Sequence, residues 1–110
     1  MKARAVMLFV DGLGLGPQDP AVNPVYSGAC PALQRFVEEH AVPLDARMGV
    51  PGTPQSATGT TTIFTGVNAA QAMGRHVEGF PGPELRRIIQ EHNLYAKLGV
   101  LGVQSTFANA

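Results

Sequence analysis

Cysteine is almost absent from this chain: Cys30 is the only one in 110 residues. A lone thiol closes no internal disulfide, so the fold owes nothing to oxidation. Cys30 sits in Gly28-Ala29-Cys30-Pro31, ahead of an expected helix. An unpaired cysteine there behaves as a small hydrophobe more readily than as a catalytic thiol. Charge is also scarce, at 15% of residues, and it balances to zero with no basic or acidic block. That balance argues against nucleic acid and against anionic membranes as partners. Low charge on a small domain further implies that part of the surface is meant to be covered. Long apolar runs are missing too. The run Ala5–Val10 is too short for a signal-peptide core and stops at Asp11, and nothing approaches a membrane span. A cytoplasmic protein is the expectation.

What is present reads as alternating elements. Ala5-Val6-Met7-Leu8-Phe9-Val10 is continuously apolar, as expected of a strand buried on both faces of a parallel sheet. Residues 11–30, rich in Gly, Pro, Asp and Asn, read as a long loop. Pro31 fits the first turn of a helix that places Leu33, Phe36 and Val37 at helical spacing. Val42, Leu44, Ala46 and Met48 alternate weakly, as a strand would, and 49–55 is a loop. Pro83 opens an amphipathic helix with Leu85, Ile88 and Ile89 on one stripe. Asn93 breaks or restarts it, and Val100–Ala108 reads as a third strand. The order predicts an α/β fold, three-layered around a mostly parallel sheet. Three strands cannot finish such a sheet, so the expectation is an incomplete one: residues 1–110 as the N-terminal portion of a single domain.

Two segments carry chemistry. In Phe9-Val10-Asp11-Gly12-Leu13-Gly14-Leu15-Gly16 a carboxylate follows the first expected strand, where open α/β sheets bind ligands. A hard carboxylate oxygen suits a divalent cation. Asp-Gly is equally a plain turn. The glycines also raise a nucleotide-binding module, but their G-x-G-x-G spacing is not the dinucleotide fingerprint and no helix follows promptly.

The second segment is Pro54-Gln55-Ser56-Ala57-Thr58-Gly59-Thr60-Thr61-Thr62-Ile63-Phe64-Thr65-Gly66. Its β-branched run favours strand by propensity. If a helix instead starts at Ser56, the hydroxyl lies over unpaired backbone N–H groups and the positive end of the helix dipole, which is an anion site. The competing reading is that Ser56 simply caps that helix.

Together the two segments resemble the alkaline phosphatase superfamily, and within it the phosphoglycerate-mutase-like metalloenzymes. Members carry Asp-Gly after the first strand, with the Asp on metal, and a Ser or Thr nucleophile opening a later helix. In several branches that helix closes with Thr-Gly ten residues on, as Thr65-Gly66 does from Ser56; Gly59 matches a mutase-branch glycine three residues after the nucleophile. This register selects Ser56 and predicts a helix there. The segments Met73–Pro81 and Thr106–Ala110 are similar to the same branch. Gln55 stands where alkaline phosphatases proper have Asp.

The resemblance implies metal-dependent phosphoryl transfer, by a phosphomutase or phosphatase, through a phosphoserine at Ser56. Asp11 and Ser56 would bind two divalent ions, Mn or Zn, and Gly59 and Arg75 would contact a phosphorylated small molecule. Family members place further Asp and His ligands in a second half of the fold, and His40, His76 and His92 do not match them. The expectation is therefore that these residues alone are inactive and need the missing C-terminal part or self-association. The alternative is a non-catalytic remnant or isolated subdomain. Arg75 can bind phosphate in bidentate fashion and His76 can act as acid or base, both in a Gly-flanked loop; either can equally anchor that loop. Asn23 is a weaker metal or substrate candidate.

Overall fold

A computed structural model describes residues 4–108 of the chain, which divides into two compact units, Met1–Leu44 and Asp45–Ala110. The described elements are a short 3-10 turn, Pro24–Tyr26, and five helices: α1 (Pro31–His40), α2 (Ser56–Thr65), α3 (Ala69–Met73), α4 (Pro83–His92) and α5 (Leu94–Val100). None of these helices is long and apolar enough to cross a membrane.

The expected α/β three-layer fold is not observed, because the described residues contain no strand and no sheet. A parallel strand is stable only when neighbours pair with its backbone and cover both faces. Ala5–Val10 is assigned to no strand. It is irregular, with Val6 97% and Leu8 86% exposed. At 42–48 local turn chemistry prevails. The Asp45 carboxylate accepts from the Arg47 amide at 3.0 Å, and Met48 N–H donates to Asp45 O. Met48 and Gly49 both take positive φ, 53° and 78°, so the chain reverses there. At 100–108 the third expected strand is instead the end of α5, a turn at Leu101–Gly102 and irregular chain.

In the first unit, Asn23 organises the long loop. Its side chain accepts from Val25 N–H at 3.1 Å and donates to Pro17 O at 3.0 Å, and the residue is buried. α1 begins at Pro31 as expected and lies against the 3-10 turn. It buries little: Leu33 and Val37 are half-buried, while Phe36 faces solvent.

The second unit packs α3 and α4 on α2. Its core is small: Ala57, Ala69, Leu85 and Ile88, with Val67, Met73 and Val77 against them. Pro83, Leu85 and Ile88 place α4 as its periodicity requires. Asn93 ends α4 and starts α5, accepting from Ala96 N–H at 2.8 Å. Phe107 meets Phe64 and Tyr95 edge-on, with ring centroids 5.8 and 6.2 Å apart.

α2 is the informative case, since threonine favours strands. Three of its hydroxyls donate to carbonyls one turn back: Thr58 to Gln55, Thr62 to Thr58 and Thr65 to Thr61. The same oxygens accept from backbone amides of the chain that follows: Thr58 from Val77, Thr62 from Ala69 and Thr65 from Val67. Thr58, Thr61 and Thr65 are all buried. Buried donors without partners are costly, so these hydroxyls stabilise the helix-based packing where propensity alone would not. Gly66 closes α2 in the left-handed region, and Lys97 Nζ reaches Thr65 O at 2.6 Å, a cation at the negative end of the helix.

Candidate functional site

Ser56 is the first residue of α2 and is half-buried. It is not the cap: that position belongs to Gln55, whose backbone is extended and whose side chain makes no capping bond. The expected row of unpaired amides above Ser56 is not there. Ala57 N–H and Thr58 N–H both donate to Val77 O, at 3.0 and 3.3 Å, and Gly59 N–H donates to Gln55 O at 2.9 Å. Val77 in turn donates its own N–H to Thr58 Oγ1. One residue from a later loop therefore satisfies the first turn of α2 from both sides. The anion-site argument from free helix amides fails for this arrangement.

Gly59 lies three residues after Ser56 in the same helix. A Cβ built on it would meet nothing within 4 Å, and its φ is not positive. Neither crowding nor backbone conformation within the chain calls for glycine at this position, although glycine inside a helix costs about 0.5–1 kcal/mol against alanine. Gly66, by contrast, has φ 74° and is required by its conformation.

Arg75 is exposed, and its N–H donates to Ala70 O at 3.1 Å as the chain leaves α3. His76 follows, half-buried, with Nε2 3.1 Å from Val50 O. A carbonyl only accepts, so Nε2 carries the proton and donates. Nδ1 is buried and has no hydrogen-bond partner among the described residues. The segment Arg75–Val77 thus links the loop at Val50 to the start of α2. The second unit brings together Ser56, Gly59 and the backbone of this segment. What sequence reasoning missed is Val77, which acts through main-chain atoms and has no side-chain signature. The side chain it pairs with is Thr58, while Thr62 and Thr65 serve Ala69 and Val67 in the same way.

Asp11 belongs to the Met1–Leu44 unit. It is exposed and opens a turn with Gly12, φ 74°. It does not follow a strand, so the expectation that a buried strand aims its carboxylate is not met. Asn23, the weaker candidate of that unit, has its side chain engaged at Pro17 and Val25 and serves the loop. His40 and His92 are exposed beside Glu39 and Glu91, at 3.7 and 3.8 Å.

As metal donors, the Asp11 carboxylate and the Ser56 hydroxyl have the right hard-oxygen chemistry. They are too few: among the described residues no group of three or more His, Cys, Asp or Glu is placed to hold an ion. A depression of about 320 Å³ lined by Ala32, Arg35, Phe36, Glu39 and His40 comes from α1 alone and is space between neighbouring side chains. No family model, no curated protein and no solved structure matches the chain, so these comparisons lend no support to the expected alkaline phosphatase superfamily.

Proposed function

We propose that this chain supplies the nucleophile and one metal ligand to a cytoplasmic, metal-dependent phosphoryl-transfer enzyme, a phosphomutase or phosphatase acting on a phosphorylated small molecule. The observation that best supports it is the extent of α2. Ser56, Gly59 and Thr65 fall on one helix, with Ser56 as its first residue and Gly66 as its left-handed cap. That is the arrangement the motif spacing requires. Ser56 Oγ gives up its proton and attacks phosphorus, the substrate oxygen leaves with the bonding pair and takes up a proton, and a phosphoserine results. Water or an acceptor hydroxyl then takes the phosphoryl group from Ser56. Two divalent ions, Mn or Zn, would supply Lewis acidity and lower the pKa of the attacking hydroxyl. Asp11 and Ser56 would be among their ligands, with the others contributed from beyond the described residues. Exposed Arg75 is available to bind phosphate, and Gly59 leaves space beside the nucleophile.

The test is phosphate on Ser56. In an active preparation supplied with Mn²⁺, mass spectrometry is expected to find phosphoserine at this position, and Ser56→Ala is expected to lower turnover by about four orders of magnitude or more. Activity that survives the substitution rules the mechanism out. The 110-residue chain alone is expected to leave p-nitrophenyl phosphate intact with Mn²⁺ or Zn²⁺; robust turnover would mean that no further ligands are needed.

One observation favours a second reading, a non-catalytic remnant or isolated subdomain. The Val77 carbonyl already occupies the amides of Ala57 and Thr58, the second and third residues of α2. On that reading Ser56 carries no phosphate under any of these conditions, and Asp11→Asn leaves Mn²⁺ binding unchanged.

A further inference from the structure

We draw no further inference here: the strongest candidate, the loop segment Gly74–Gly79 whose Val77 carbonyl closes the N-terminus of the Ser56 helix, is an ordinary helix-capping arrangement at which no second observation points to a ligand.

Discussion

Thr62 joins two backbones through a single oxygen. Its hydroxyl donates to Thr58 O at 2.8 Å and accepts from Ala69 N–H at 3.0 Å, and Ala69 is fully buried. Thr62→Val keeps the shape but leaves that amide without an acceptor. The expected cost is about 1–3 kcal/mol in urea unfolding, against about 0.5 kcal/mol or less for Gln90→Ala on the exposed side of α4. Equal effects would show that the hydroxyl is not part of the packing. His76 makes a different prediction. Its Nε2 faces a carbonyl while Nδ1 is buried without a partner. The neutral ring is expected wholly as the Nε2–H tautomer, read from the two ¹⁵N shifts by NMR. An Nδ1–H signal would contradict the Val50 bond. Neither role was legible in the sequence, since Thr62 depends on the amide of Ala69 and His76 on the carbonyl of Val50, backbone groups that any residue type could offer.

At the scale of the element, α1, α2 and α4 could be read, whereas α3 falls within 68–82, a stretch that reads as loop, and the strands could not be read. Pro31, Pro83 and the Thr65-Gly66 pair mark ends that local chemistry decides: a ring that fits the first turn and a glycine that accepts positive φ. α5 was only half anticipated, because Val100 was assigned to a strand and instead ends the helix. Apolar runs are ambiguous, since a strand needs a neighbour that the run itself does not encode. Ala5–Val10 illustrates this, apolar throughout and yet irregular and exposed. The two glycines of the α2 motif separate conformation from space. Gly66→Ala is expected to cost about 1–2 kcal/mol, the penalty of placing a Cβ in the left-handed region. Gly59→Ala, with open space around the new methyl group, is expected to stabilise by about 0.5–1 kcal/mol. Thermal unfolding of both variants checks the pair; destabilisation by Gly59→Ala would mean that the helix is crowded there. Of the candidate site, the position of Ser56 at a helix start was legible. The occupancy of its amides was not, because Val77 contributes only backbone.

Across the whole molecule, apolar surface is distributed unevenly. The second unit rests on a few buried side chains, with Leu85 the largest fully buried apolar one. Leu85→Ala is expected to cost about 2–5 kcal/mol. For so small a core that is enough to lose most of the helical circular dichroism of Asp45–Ala110. Retention of the signal would indicate a larger core than the described one. Meanwhile five consecutive apolar residues, Val6 to Val10, are each at least 40% exposed. Single exposed apolar residues are normal in globular proteins, whereas contiguous ones are not. The composition pointed this way through its low charge, but no pattern in the sequence says which apolar residues are left outside.

The shared oxygens of Thr58, Thr62 and Thr65 also set an order of events as the chain emerges. Ten residues rich in threonine are too short and too weak to hold a helix in water by themselves. The amides that α2 needs as donors come from Val67, Ala69 and Val77, all synthesised after it. A peptide of residues 54–66 should therefore be random by circular dichroism, and one extended through residue 92 should gain the helix. Ser56 acquires its place only once the polypeptide has grown more than twenty residues beyond it.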